Sequence, residues 1–452
     1  MKIAVIGGGG VRSMFLAKSL SQAARKLGIT EVVFSDNDPE KLAVYGTLAK
    51  KTAALNDPDL AFTVTTDNDS ALYNADYVIT TIRPGGDDKR AEEEKLTIAE
   101  EVIAQETVGG AGLSFAMRTF PALSAIAESA KRLSRPGVKI FNFTNPVGIV
   151  TQALYDAGID FAYGICDAPT GMLDSFEKLL RLPEGALKGE VYGLNHLSFF
   201  KSVTLDGADV TKRIISDPDA YVKTELSYFD RAELEMRGYI PNEYLYYYYY
   251  PEQALRHMLS AKELRGAQIA RINKKLLAEL KKIDPENDYD GALKVFSAGY
   301  GERESSYMAT ETGVVRQKPW RFDPKSPEKG GYAGVALKYI EIIESGIPGD
   351  MILSCPSGGN IPGLKPTDVA EISVTVTPDG VIPHKFENIP SECRDLIVTM
   401  KAYENAASIA LRSRKKSDLV SALAANPLSA AKAETLADKY INVNKDFIVF
   451  SD

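Results

Sequence analysis

Residues 2–6, KIAVI, run directly into four glycines, Gly7 to Gly10, and then into VRSMFLAKSLSQAARKL, a helix-length stretch with apolar residues at helical spacing. Strand, glycine turn and helix in that order confine the chain to α/β architectures in which backbone N–H groups at a helix N-terminus face an anion. The glycines let a dinucleotide pyrophosphate approach the backbone, with Val11 and Arg12 opening the helix beside it. The next strand-like run, EVVFSDND, ends in Asp36 and Asp38. A carboxylate there accepts from ribose hydroxyls and repels a 2′-phosphate, which favours NAD over NADP. Arg12 stands where the dinucleotide fingerprint has Gly or Ala, and Asp36 lies further from the glycines than usual, so a tight turn in another α/β protein is the competing reading.

The alternation of strands and helices continues. YVITTIRPGG (77–86) is a buried-type strand running into Arg83 and two glycines, and KIFNFTNP (139–146) is a strand ending in Asn145 and Pro146. Helical stretches are expected near 88–103, 117–134 and 146–157. Strands separated by helices predict a doubly wound parallel sheet whose ligands sit at the carboxyl ends of the strands, where Arg83 and Asn145 stand. From about residue 197 the alternation ceases: helices dominate 254–283 and 390–447, and DVAEISVTVTPDGVIP reads as a strand, turn and strand. The expected fold is α/β, with a Rossmann-like domain over 1–195 and an α+β catalytic domain over 196–452.

A chain of 452 residues suits two packed domains. Its net charge of −8 argues against a nucleic-acid partner. Three cysteines cannot make a disulfide framework and suit a reducing compartment. No apolar run reaches the roughly 18 residues of a membrane span, and MKIAVIGGGG does not read as a signal peptide, so a soluble, cytoplasmic protein is expected.

Chemistry-bearing residues gather at further strand ends. YGICDAP (163–169) carries Cys166 and Asp167, and YGLNHLSFF (192–200) carries Asn195 and His196. A thiolate and an imidazole both bind borderline divalent metals, and two such ligands suit an open site completed by substrate and water. A buried cysteine acting as a small hydrophobe is the alternative. AQETVGGAGLSFAMRTFP (104–121) combines Glu106 with a glycine turn and Arg118; in DDKRAEEEK (87–95), a solvated helix face competes with Lys89 and Arg90 reaching an anionic ligand. NEYLYYYYYP (242–251) places six tyrosines in seven positions, either as packing or with one phenol acting as a base.

Taken together, IGGGG, IRPGG with Arg90, QETVG, TNP, GICDAP, GLNHL, PNEYLYYY and CPSGGNIPGL occur in an order, over roughly residues 1–385, that resembles the NAD- and metal-dependent glycosidases of glycoside hydrolase family 4, and most of all their 6-phospho-β-glucosidase branch. The resemblance implies a lactate-dehydrogenase-like C-terminal fold. It also implies NAD held by Gly7, Gly8, Gly9, Gly10, Val11, Arg12, Asp36 and Arg83, and Mn2+ or another divalent metal held by Cys166 and His196. Tyr244 would remove the C2 proton of a sugar oxidised at C3, elimination would follow, and hydride return would regenerate the cofactor. Asp167 matches a general acid of the α-glucosidase branch. Arg90, Asn145, Asn195 and Arg265 match substrate contacts, with Arg90 and Arg265 on the 6-phosphate of a phosphorylated disaccharide or glycoside. The family usually has serine at Gly10 and H-T-R where this chain has E-L-R before its phosphate arginine. A homodimer or homotetramer is expected. Alternatives are a 6-phospho-α-glucosidase or α-galactosidase of the same family, an NAD-dependent 2-hydroxy-acid dehydrogenase, and a non-catalytic NAD sensor.

Overall fold

The computed structural model describes residues 1–315, 320–327 and 333–451. Its strands are β1 (Lys2–Ile6), β2 (Glu31–Ser35), β3 (Ala61–Thr65), β4 (Tyr77–Thr80), β5 (Lys139–Asn142), β6 (Ala162–Gly164), β7 (Leu187–Leu194), β8 (Leu197–Leu205), β9 (Ala208–Asp209), β10 (Ile240–Pro241), β11 (Gly349–Pro356), β12 (Val369–Thr377) and β13 (Gly380–Pro383). β1 to β6 are mutually parallel, in the spatial order β3-β2-β1-β4-β5-β6. Growth of the sheet reverses between β1 and β4, and that reversal opens a ligand crevice at their carboxyl ends. β1, β2 and β4 are buried almost throughout, as parallel strands covered on both faces must be. The α/β class and Rossmann-like sheet are as the sequence predicts.

Three late strands extend this sheet. β11, β12 and β13 add antiparallel at the β6 edge, giving nine strands, so residues 349–383 continue the layer begun at Lys2. The expected boundary between 195 and 196 falls inside the two-residue turn of the β7–β8 hairpin, which with β9 and β10 forms a second sheet. The rest of the C-terminal half is helical, including Pro251–Ser260, Arg265–Leu280, Tyr289–Ser305 and Ser391–Ser413.

The helix Ser13–Leu27 starts at Arg12 without a side-chain cap and ends on Gly28, whose φ of 70° only glycine adopts freely. Its Phe15 lies 4.9 Å from the Tyr300 ring and 5.0 Å from the Phe322 ring, fastening C-terminal aromatics onto the glycine-loop helix. Offset and edge contacts of this kind contribute about 0.5–1.5 kcal/mol each beyond area burial. No helix among the described residues is long and apolar enough to cross a membrane.

Candidate active site

The glycine loop closes tightly over the sheet. Gly7 and Gly8 both donate their N–H to the Ser35 carbonyl at 2.8 Å. Gly7 has φ 99°, and a Cβ there would sit 2.4 Å from the Thr81 carbonyl oxygen, so only glycine fits. Asp36, at the end of β2, accepts from Gly9 N–H at 2.9 Å. A Cβ on Gly10 would meet only the Gly7 carbonyl at 3.7 Å, so the departure from serine there has no steric cost.

Beside this loop, Glu106 bridges two arginines, accepting from Arg83 Nη1 at 2.8 Å and lying 3.1 Å from Arg90 Nη1. Burial alone would raise its pKa, but Arg83 and Arg90 outweigh it and hold the carboxyl well below its ordinary range. Arg90 also pairs with Glu94 at 2.8 Å, and Glu94 accepts from Gly266 N–H at 2.6 Å. Arg265 donates to Ser306 Oγ at 2.7 Å and to the Arg303 carbonyl at 3.0 Å. Burial lowers its pKa, and the nearby positive charges of Arg90 and Arg303 add to that. Three cations therefore crowd one half-buried region, an arrangement suited to a doubly charged anion. Arg303 was not foreseen; it stands in GERES, where a charge run reads as a solvated face. Of the other charged residues singled out, Arg118 is buried against Glu93 and donates to the Pro84 carbonyl of the Arg83 loop at 2.6 Å, and Lys89 pairs with Glu92 at 2.9 Å.

The second cluster forms where the two sheets meet. His196 occupies the β7–β8 turn with φ 61°, an uncommon conformation for a side chain larger than glycine, and is buried. β10 pairs with β8, and Asn242 N–H donates to the Ser198 carbonyl at 2.9 Å, which carries the following turn back to the hairpin. Asn242 Oδ1 accepts from Tyr244 N–H at 3.0 Å. The Tyr244 ring then stacks on the His196 imidazole, with centroids 3.8 Å apart and planes 8° from parallel.

Tyr307 Oη lies 2.7 Å from Tyr244 Oη and 2.6 Å from Glu243 Oε1. Tyr307 has one proton for two acceptors: donated to Tyr244 it steadies the phenolate, and donated to Glu243 it leaves Tyr307 to accept from the Tyr244 phenol. Burial and then the charge of Glu243 push the Tyr244 phenol well above its ordinary value, against the Tyr307 hydrogen bond. Cys166 follows β6, and its sulfur accepts from Ala168 N–H at 3.5 Å and from the Asn195 amide. Burial raises its thiol well above the ordinary range, and the charges of Glu371 and Asp167 add to this. The Asn195 amide also donates to Glu371 Oε2 at 2.9 Å, and Ser198 Oγ donates to Glu371 Oε1 at 2.8 Å. Burial lifts Glu371 to about 7 in spite of those two bonds. Asp167 precedes the helix Ala168–Leu180 and makes no capping bond with its side chain, which leaves the carboxylate half-exposed beside Cys166.

Among the described residues no group of three or more His, Cys, Asp and Glu side chains converges as a closed metal site. Cys166 and His196, an anionic-capable thiol and a neutral imidazole held near 4 by burial, fit an open site with two protein donors. A cation there reverses the cost of ionising Cys166 and Tyr244, since both sit in a pocket rich in carboxylates.

The remaining tyrosines of the run are tied down elsewhere. Tyr246 donates to the Glu311 carbonyl at 3.0 Å, Tyr248 to the Val108 carbonyl at 3.3 Å and Tyr250 to Glu233 at 3.0 Å, while Tyr249 lies 3.0 Å from Tyr239 Oη. Tyr246 and Tyr247 are interior side chains and Tyr248 to Tyr250 are half-buried, so these five serve as packing. Tyr307 and Glu371 carry no local signal in the sequence. Gln105 and Thr107 lay inside a motif noticed for Glu106.

A family model described as family 4 glycosyl hydrolase matches residues 2–182, and one described as the family 4 glycosyl hydrolase C-terminal domain matches 191–429. A protein of Bacillus subtilis (strain 168) described as a probable 6-phospho-beta-glucosidase is 27% identical over 463 residues, covering 99% of this chain and 97% of that protein. The 6-phospho-beta-glucosidase BglT of Thermotoga maritima is 31% identical over 289 residues, covering 62% of this chain and 67% of that protein. The solved 6-phospho-beta glucosidase of Thermotoga maritima with NAD and glucose-6-phosphate superposes with a TM-score of 0.82 at 25% identity, covering 100% of both chains.

Proposed function

We propose, since the chain belongs to glycosyl hydrolase family 4, that it hydrolyses 6-phospho-β-glucosides at the junction of the two sheets. The observation that carries this reading is the stack of Tyr244 on His196, with Cys166 alongside and the phenol hydrogen-bonded away from solvent to Tyr307. Gly7 to Gly10, Val11, Arg12, Asp36 and Arg83 hold NAD, and Cys166 and His196 hold Mn2+. When bound, the dinucleotide accepts and returns a hydride, and the metal polarises the sugar oxygens.

The chain's own residues supply the rest. Tyr244 removes the proton at C2, with Tyr307 and Glu243 behind it to receive the phenol's hydrogen bond. Asp167, beside Cys166, faces the leaving glycosidic oxygen. Arg90 and Arg265, joined by Arg303, bind the 6-phosphate, and Asn145 and Asn195 contact the sugar. An α-selective enzyme is the second reading, favoured by the unengaged Asp167 carboxylate. Three free cysteines and the absence of an apolar spanning helix among the described residues support a cytoplasmic enzyme, which we expect to be a homodimer or homotetramer by light scattering.

The decisive test incubates the protein with NAD+, Mn2+, a thiol reductant and the α and β anomers of 4-nitrophenyl glucoside 6-phosphate. Faster β cleavage, no net NADH and solvent deuterium at C2 of the product are expected. Steady NADH accumulation would identify a dehydrogenase, and an unlabelled product would exclude elimination.

A further inference from the structure

We propose that the Gln105–Thr107 turn sets the tautomer of His196, so that Nε2 is the atom offered to a divalent metal; the metal half of this rests on the reading of His196 as a ligand given above.

Three donors converge on Gln105 Oε1: the N–H groups of Thr107 and Val108, each at 2.7 Å, and the Thr107 hydroxyl at 2.8 Å. Two of these are backbone donors that cannot reverse their role, so they fix which end of the Gln105 amide faces them. An amide NH2 in that place would meet two N–H groups head on. The Thr107 hydroxyl therefore has an acceptor for its single proton and presents a lone pair on its other side. That side faces His196 Nδ1 at 2.7 Å. A neutral imidazole has one N–H, and placing it on Nδ1 leaves Nε2 bare. The opposite tautomer requires Thr107 to give up Gln105 and donate to Nδ1.

A half-turn of the ring would keep the stack on Tyr244 but bring Cδ2 to the Thr107 hydroxyl and forfeit the 2.7 Å bond, so that bond holds the orientation of the ring. The intervening residue, Glu106, is gripped by Arg83 and Arg90. The turn that orients the imidazole is thus anchored at its centre by two ion pairs, and Thr107 cannot drift from His196 without loosening them. Thr107 and Gln105 act through His196 and are positioning residues. Partners of this second kind commonly change metal affinity by about 10- to 100-fold when removed.

The test uses the full chain labelled with 15N-histidine, free of metal, with His257→Gln and His384→Gln variants assigning the three imidazoles. His196 is expected to show a pyrrole-type Nδ1 and a pyridine-type Nε2. In Thr107→Val the His196 pattern should shift towards the other tautomer, and Mn2+ affinity, read from the electron paramagnetic resonance signal of free Mn2+, should fall about 10- to 100-fold. Thr107→Ser should restore both. Gln105→Leu, which keeps Thr107 but removes its acceptor, should give an intermediate spectrum and guards against a misfolded Thr107→Val. A pyridine-type Nδ1 in the parent protein, or an unchanged spectrum and affinity in Thr107→Val, overturns the clamp. An unchanged Mn2+ affinity in His196→Gln overturns the ligand reading instead, whatever the tautomer.

Discussion

Glu106, half-buried in the loop between two helices, and Glu371, buried near the start of β12, are driven in opposite directions by their surroundings. Glu106 lies between Arg83 and Arg90 and is held ionised. Glu371 has only the Asn195 and Ser198 donors, and burial lifts it to about 7. The same contrast separates the regions they belong to. The nucleotide-side region carries its own cations. The region around Cys166, His196 and Tyr244 collects a thiol, a phenol and the Glu371 carboxyl, and burial pushes each of these three towards its neutral form. In one region fixed cations hold the acid ionised; in the other burial holds the acids protonated, and a cation added there would favour their ionised forms.

Substitutions that exploit this contrast differ widely in size. Tyr244→Phe should have the largest effect, a fall of about 10²- to 10⁴-fold in kcat with little change in KM, measured on the nitrophenyl substrate. A comparable activity would remove Tyr244 from the chemistry. Next comes Glu106→Gln, which leaves Arg83 and Arg90 facing a neutral amide. The loss of a buried counter-charge costs about 3–5 kcal/mol, to be read from the urea midpoint of the protein without ligands.

Glu371→Gln should act on the pH dependence. The folded pKa of Glu371 lies above its unfolded value, so its protonated form supports folding below the ordinary carboxylate range. That contribution is lost as pH rises towards 7. Urea midpoints of the parent protein should therefore fall between about pH 4.5 and 7 relative to those of Glu371→Gln, and parallel curves would mean that Glu371 titrates normally. Glu106, with its pKa lowered, contributes in the opposite sense: its stabilisation is present above the ordinary carboxylate range and is lost as pH falls below it. Smallest are Tyr248→Phe, which removes one 3.3 Å bond to a carbonyl, and Gly10→Ser, whose Cβ has room. Each should leave kcat within about twofold, Tyr248→Phe because the phenol is off the reacting atoms and Gly10→Ser because a Cβ in the cofactor loop meets nothing closer than 3.7 Å.

Much of the first region was legible in the sequence because it is local. KIAVI, the glycines and the following helix are contiguous, and the position of Asp36 against Gly9 follows from that short piece of chain, whereas the steric need for Gly7 comes from the distant Thr81 carbonyl. The ordered motifs also led to Cys166, His196 and Tyr244. Their mutual arrangement was not legible. Tyr244 reaches His196 because β10 pairs with β8, a two-residue strand that no periodicity announces. The composition of the tyrosine run says nothing of which way each ring points; hydrogen bonds to Glu311, Val108, Glu233 and Tyr239 decide that.

By itself, the sequence determined a nucleotide-type α/β sheet, a cysteine and a histidine in neighbouring motifs and one phenol set apart from five others. Only the tertiary structure decided that late strands complete the first sheet, that Tyr307 joins Tyr244 across 63 residues, and that Glu371 holds Asn195 across 176. Periodicity and spacing report on neighbours along the chain, whereas charge, burial and hydrogen-bond direction at this site depend on partners that meet only after the two sheets have closed on each other.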